Sequence, residues 1–423
     1  METAELKAWA ESEGALEIDV KQDGKLSISS KLLRFRWHGA PAVGVGAEHG
    51  ADVRINSLID GLAWFIGTAH DSDEELNILL GFEAGEALLI EHVDAIGTLC
   101  ACLEGGPRIR VWAVSADAGP VALPTGPSSF GPVVPTRWNH WLIRASDRTV
   151  DGLAAQVAAL VEHPSFSIYP KLSKGDEVRP WQMRLDGLDI GRVGASSAVL
   201  QLDTSNPDAD RHLHKTWKEL VGTEPRQFDV DTRTELVALI STLIAAWQVS
   251  GAPDAVLGHG QAEHALEAHL LTGRLEIQSA IDGPLSPAIP VEGKAVRGAQ
   301  FPTLWGDVSS PARYLDVLLR DDVGNPFAVE LKDQDAGGGH GQYLRHGLTQ
   351  AVLYRHFIRS ASELDPLFDR FGLRRDRCRA VLAFPAPTLT VRPKVETKLA
   401  RHRELAGRFG VEVIEFARPG STL

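Results

Sequence analysis

Between residues 314 and 332 the chain reads YLDVLLRDDVGNPFAVELK, two apolar runs separated by the turn residues Gly324, Asn325 and Pro326. Period-two alternation on either side of such a turn predicts an antiparallel hairpin, RYLDVLLRD against PFAVELKD. Side chains alternate faces along a strand, so Phe327, Val329 and Leu331 share one face of the second strand, and Ala328, Glu330 and Lys332 share the other. In the first strand Asp316 lies opposite the face of Leu315, Val317 and Leu319. One register therefore gathers Asp316, Glu330 and Lys332 on a single face. Removing unpaired charges from water costs several kcal/mol. Three of them inside apolar strands either point at solvent or converge on something that needs charge.

The same reading extends to both sides. GQAEHALEAHLLTG (260–273) is a helix stopped by Gly273, with Glu263, Leu266, Glu267 and Leu270 along one face. GQYLRHGLTQAVLYRHFIRS (341–360) is helical in pattern, RCRAVLAFPAP reads as a buried strand, VETKLARHRELAGRFG as a helix and VEVIEFA as another strand. Upstream, TRTELVALISTLIAAWQVSG (232–251) has the Thr start and Gly stop of a buried helix. TVDGLAAQVAALVEH is an amphipathic helix, WQMRLDGL and SAVLQLDTS are strands, and HLHKTWKELVG is helical. Near the N-terminus, ALEIDVKQDGKLSISSKLLRFRWHG alternates around an Asp-Gly turn, and ELNILLGF, EALLIEHV and RIRVWAVSA are expected as further strands. DAGPVALPTGPSSFGPVVPTRW (117–138) is rich in Pro, Gly and Ser. These signals divide the chain into a β-rich unit at 1–118, a linker at 119–138, a mixed α/β region at 139–251 and a C-terminal unit at 252–423. No internal repeat is evident.

Composition adds limits. The chain has 423 residues, 43% hydrophobic and 23% charged. No apolar run approaches the ~20 residues of a membrane span, and METAELKAWAESEG has no signal-peptide pattern. Of three cysteines, Cys100 and Cys102 form a lone C-x-C, too few for a zinc site, so reduced cysteines and a cytoplasmic location are expected. The net charge of −13 is uneven: 1–230 carries −12 and 231–423 only −1, while 370–408 holds 11 basic residues and three acids. That basic segment includes Arg374, Arg375 and Arg377, residue types that track nucleic-acid backbones, although a solvated surface has the same composition. His212 and His214 form an H-x-H without companion ligands, and His259, His264 and His269, five apart, do not share a helix face.

Two carboxylates as close as Asp316 and Glu330 repel unless a cation lies between them, and hard oxygen ligands select Mg²⁺ or Mn²⁺. Lys332 would then hold a water or steady developing negative charge. Asp316, thirteen intervening residues and Glu330-Leu331-Lys332 resemble the motif of the PD-(D/E)XK nuclease superfamily, and Gln350-x-x-x-Tyr354 resembles the Gln-x-x-x-Tyr motif of its RecB-like branch. The resemblance covers about 255–420 and implies an α/β fold: an αβββαβ restriction-endonuclease-like core with a mixed sheet flanked by helices, beside an N-terminal α+β region. It implies Asp316, Glu330, the Leu331 carbonyl and Glu263 as metal ligands, with Glu267 competing for the helix position. It implies Lys332 as the catalytic lysine, and Gln350 and Tyr354 as organisers of the site or DNA contacts. The activity implied is Mg²⁺-dependent (or Mn²⁺-dependent) hydrolysis of DNA phosphodiester bonds, suited to bacterial defence against foreign DNA in the manner of Shedu-like or restriction-type systems. DNA is the partner implied; a homo-oligomer, and a sensor ligand or protein partner for 1–230, are compatible with it. The other readings are an inactive nuclease-fold module for nucleic-acid binding or assembly, and an RNA or repair nuclease. For Glu330 and Lys332 alone, an exposed cross-strand pair worth at most ~1 kcal/mol is the plainer account. The Gly-rich 332–342 segment reads as a closing loop or a plain surface turn.

Overall fold

The computed structural model describes residues 1–22, 31–49, 51–67, 74–82, 90–117, 119–125, 149–170, 180–201, 218–222, 224–249, 262–297, 299–303, 313–332, 340–386 and 393–417, and structural statements below concern these. They form three β-sheets with helices between and around them, a mixed α/β molecule. None of the described helices is long and apolar enough to cross a membrane.

The first sheet takes α1 (Thr3–Ser12), β1 (Leu16–Gln22), β2 (Lys31–Trp37), β3 (Ala40–Val45), α2 (Ala51–Gly67), β4 (Glu75–Gly81), α3 (Ile90–Cys102), β5 (Arg108–Ser115) and β6 (Gly119–Leu123). Its strands run in chain order. β1, β2 and β3 are antiparallel, β3, β4 and β5 parallel, and β6 is antiparallel to β5. Parallel neighbours need crossovers, which α2 and α3 supply. α1 covers the other face, seating Leu6 and Ala10 in one cluster with Leu33, Phe35, Trp37 and Leu79.

The second sheet is antiparallel throughout. It holds β7 (Phe166–Pro170), β8 (Trp181–Leu185), β9 (Leu188–Val193), β10 (Ser197–Leu200) and β11 (Arg226–Asp229), between α4 (Gly152–Leu160) and α5 (Arg233–Val249). The β8–β9 turn is Asp186-Gly187, both at positive φ (43° and 86°), the conformation that selects Asp-Gly in tight hairpins.

The third sheet follows α6 (Ala262–Leu271): β12 (Ile277–Ser279), β13 (Gly283–Pro287), β14 (Ala299–Thr303), β15 (Arg313–Arg320), β16 (Pro326–Leu331), α7 (His340–Ser360), α8 (Asp365–Arg370), β17 (Arg379–Pro385), α9 (Pro393–Arg408) and β18 (Val411–Phe416). The order is β12-β13-β15-β16-β17-β18, with β14 also on β15. The expected hairpin forms, with Val317 opposite Val329 and Leu319 opposite Phe327. Its turn is held by Asp321, whose carboxylate accepts the N–H groups of Val323 (3.1 Å) and Asn325 (2.7 Å). Every residue of β16 is buried. One face of this sheet joins α7 and α9 in a core that also includes Ile55, Leu58, Ile59 and Leu62 of α2. The other face shares a core with α5, α6 and the second sheet. The helical layers of the first and third sheets are thus packed on each other.

Two expectations fail here. EALLIEHV, read as a strand, contributes Ile90 to Val93 to helix α3; residues 86–89 lie outside the described residues. A short apolar run fits a buried helix as well as a strand. Gly119–Leu123, read as linker, is edge strand β6 paired along β5, whose buried residues reward a partner despite Pro120. An edge strand tolerates a proline. The rest of that linker from 126, His212, His214, His259 and the 333–339 loop lie outside the described residues.

Candidate active site

The hairpin register sets the site. Val317 faces Val329, so Asp316 and Glu330 stand opposite each other one step along. Asp316 Oδ2 accepts the Leu331 N–H at 2.9 Å, which ties the two strands at the point where β16 ends. Lys332 follows, its own N–H donating to the Ala383 carbonyl at 3.0 Å. Its ammonium lies 2.7 Å from Glu330 Oε1 and 3.4 Å from Glu263 Oε2. Glu330 is 1% exposed and Lys332 5%, so the bland account of an exposed cross-strand pair does not hold. Glu330 Oε2 is buried with no hydrogen-bond partner among the described residues, an expensive condition for a carboxylate.

The electrostatics follow from burial and crowding. Asp316 is pushed up to about 6 by desolvation, with Glu263 and Glu267 adding to the rise and Lys332 opposing it. Glu330 is raised well above the usual carboxylate range by desolvation and by Asp316. Burial alone would make Lys332 less basic, but the carboxylates of Glu330, Glu263 and Asp316 outweigh it and raise its pKa. Lys332 is therefore a fixed cation rather than a base at neutral pH.

Of the two helix acids, Glu263 reaches the lysine. Glu267, one turn on and 1% exposed, points instead to Arg184 of β8 (3.6 Å) and to His264 (3.4 Å). The hydrogen bond with Glu267 raises the His264 pKa despite burial. Arg184 also stacks over Tyr169, 4.4 Å from the ring centroid, a cation–π geometry. The second sheet thus supports α6 from behind. Arg184 and His264 have no sequence signal of this role, since Arg184 comes from a different sheet. His269, which its spacing sets on a different face from His264, is buried; it lies 3.2 Å from Asp186, beside Arg274 and the Trp247 Nε1–H donated to the same carboxylate at 2.8 Å.

Helix α7 closes the site. Gly347 is in its interior, where a glycine costs helix stability relative to alanine and close packing gives it a reason. A Cβ there would lie 2.5 Å from Leu382 Cδ1 and 3.1 Å from Lys332 Cγ. Three and seven residues on, Gln350 and Tyr354 share that face. Gln350 Nε2 donates to the Tyr354 hydroxyl at 3.0 Å, and Gln350 Oε1 is buried without a partner among the described residues. Tyr354 is 1% exposed. It braces Gln350.

The arginines are elsewhere. β16 and β17 are parallel, Phe327 pairs with Arg379 and Leu331 with Ala383. Arg374, Arg375 and Arg377 precede Arg379 and so lie at the end of the sheet remote from Lys332, roughly 16 Å along the strands at ~3.3 Å per residue. Arg375 is moreover committed to the fold: its guanidinium pairs with Asp365 at 2.5 Å and donates to the carbonyls of Ile358 and Arg359 at the end of α7. The expectation that these three form a phosphate-tracking surface beside the site is corrected accordingly. Sequence nearness to a basic run carries no information about which end of a strand it reaches.

The oxygen-only donors, the orphaned Glu330 Oε2 and the mutual repulsion of Asp316 and Glu330 suit a hard divalent cation. Among the described residues, however, no three His, Cys, Asp or Glu side chains are gathered as a ready metal shell; Lys332 supplies the counter-charge. Compared with protein-family models, curated proteins and solved structures, the chain matches none.

Proposed function

We propose that the chain is a metal-dependent nuclease that hydrolyses DNA phosphodiester bonds at the third sheet. One observation carries the reading: Asp316, Glu330, Lys332 and Glu263, 69 residues apart at the extremes, converge at the open end of β15 and β16 under the Gly347–Gln350 face of α7. The order α6, β14–β15–β16, α7, β17, with its antiparallel-then-parallel pairing, supports it as the αβββαβ order that the motif implies.

Mg²⁺ or Mn²⁺ would be held by Asp316, Glu330, Glu263 and the Leu331 carbonyl, and when bound supplies Lewis acidity and offsets phosphate charge. The chain's own groups do the rest. Lys332, kept protonated by its carboxylates, places a positive charge where the phosphoryl oxygens become more negative as water bonds to phosphorus and the P–O bond to the leaving sugar oxygen breaks. The water's proton passes to solvent and the leaving oxygen takes one from it. Glu330 holds that ammonium in place through the 2.7 Å contact. Gln350, braced by Tyr354, offers the unpaired Oε1 toward the same cleft as a further acceptor.

A second reading has its own observation. Because Lys332 already neutralises Glu330 and no three-acid shell is preformed among the described residues, an inactive nuclease-fold module for nucleic-acid binding or assembly is the alternative. Isothermal titration with Mn²⁺ separates them: the nuclease reading expects heat that is lost in Glu330→Gln, whereas no binding in the wild type favours the inactive module.

A further inference from the structure

The first and third sheets repeat one architecture. In each, a helix is followed by three antiparallel strands, a crossover helix, a parallel strand, a second crossover helix and a further parallel strand; the third sheet adds β12 and β13 between α6 and β14, and α8 before β17. α1, β1–β3, α2, β4, α3, β5 match α6, β14–β16, α7, β17, α9, β18, with the same pairing sense at every step.

The match extends to residues. In the first sheet Arg34 pairs with Val43, Val43 with Ile78, and Ile78 with Val111. In the third, Asp316 stands opposite Glu330, Glu330 pairs with Leu382, and Leu382 with Val413. Val43, Ile78 and Val111 lie in the core under α2, while Leu382 lies under α7 in that same core. The first crossover helix of each, α2 and α7, also places a close-approach glycine over this row. A Cβ on Gly61 would lie 2.8 Å from Val43 and 3.2 Å from Ile78, and one on Gly347 2.5 Å from Leu382 and 3.1 Å from Lys332.

With the two glycines equated, Asp316 corresponds to Arg34, Glu330 to Val43, Lys332 to Val45 and Gln350 to Trp64. Arg34 lies over the Trp64 ring at 5.9 Å, so an arginine–indole stack stands where the third sheet has its acids and glutamine. No carboxylate or lysine occupies any of the four positions.

The two units meet by like surfaces, α2 and α3 against α7 and α9. Across this contact Asp60 pairs with Arg345, both buried, and Asn56 accepts from Thr349 at 2.8 Å and lies 3.3 Å from His346. An isologous dimer joins two copies through one shared patch. Here one chain supplies both halves of such a contact.

We infer that residues 1–115 are a second copy of the third-sheet architecture, stripped of its acid–lysine set and docked on the helical face through which another copy would otherwise pair, so that each chain has one cleavage centre. On the nuclease reading, on which this consequence rests, a monomer cuts one strand of a duplex per encounter and leaves a nick.

The test is a time course on supercoiled plasmid with Mg²⁺, run beside sedimentation of the full chain at the same concentration and Mn²⁺ titration of wild type and Glu330→Gln. Expected are a particle of one 45.8 kDa chain, open circles that accumulate before any linear form, and one class of Mn²⁺ site, lost in the variant. Linear product formed directly by the monomer, or Mn²⁺ binding that survives Glu330→Gln, overturns the inference while leaving a nuclease. An inert wild type with a single Mn²⁺ class lost in the variant overturns the nuclease reading and upholds one centre per chain. An inert wild type without Mn²⁺ binding overturns both.

Discussion

Asp316 shows what burial does to a carboxylate when its neighbours are also acids. Its pKa is raised to about 6 from the model-peptide value of 3.8. A carboxylate that binds its proton more tightly in the folded state stabilises the fold at low pH. That contribution is lost as pH rises from about 4 through about 6. Asp316→Asn, which still accepts the Leu331 N–H, is therefore expected to raise the melting temperature of the metal-free protein at pH 7.5 by roughly 1–3 °C. The gain should fade below about pH 4, where the native residue is protonated in both states. A melting temperature that falls at pH 7.5 would show that the Asp316 charge stabilises the fold. Lys332 and Glu330 were legible in the sequence because both fall on one face of an otherwise apolar strand, which the hairpin register sets beside Asp316. Glu263 was legible only as one of two helix acids, since helical spacing places both on one face and the structure's packing separates them. Arg375 was misread because its partners, Asp365 and the carbonyls ending α7, are set by tertiary folding.

At the scale of elements, two contacts govern how α6 and α7 approach β16. Gly347 lets α7 rest directly on Lys332 and Leu382. Leu382 Cδ1 is a flexible side-chain end, whereas the lysine is pinned at its ammonium by Glu330 and Glu263. Gly347→Ala is expected to keep the fold and lower kcat about tenfold or more, with KM little changed, because the lysine is displaced by a few tenths of an ångström. Unchanged kcat would remove α7 from the site. On the other side Arg184 anchors Glu267, and with it α6. Arg184→Gln should loosen Glu263 and reduce activity about tenfold, and an unaffected rate would leave Arg184 a purely structural residue. The Asp186 turn joins the second sheet to α5 and α6. Burial opposes its charge, yet His269 and Arg274 hold the carboxyl well below the usual range. Its stabilisation is therefore present above about pH 4 and lost as pH falls below it. Asp186→Ala should cost about 3–5 kcal/mol at pH 7 in denaturant unfolding; a loss under 1 kcal/mol would contradict the coupling. None of these inter-sheet contacts was visible in the sequence, because their partners are 60 to 90 residues apart and belong to no shared motif.

The whole molecule is organised by two shared cores. The α2, α3, α7 and α9 layer belongs to the first and third sheets together, and the second sheet shares its core with the third. The sequence's punctuation suggested separate units, and the strand-by-strand likeness of the first and third sheets escaped it because topology repeats where residues do not: Glu330 and Lys332 against Val43 and Val45 leave no motif to detect. Calorimetry is expected to show a single cooperative transition, since α2 cannot leave α7 without exposing the core they share; two well-separated transitions would contradict a shared core. The central claim is the site itself. Cleavage of plasmid and single-stranded DNA with Mg²⁺ or Mn²⁺ should be compared among wild type, Lys332→Ala and Glu330→Ala. Metal-dependent cutting by the wild type is expected to fall by roughly 100-fold or more in both variants. Wild-type protein inert on both substrates, or variants that cut as well as the wild type, would contradict it.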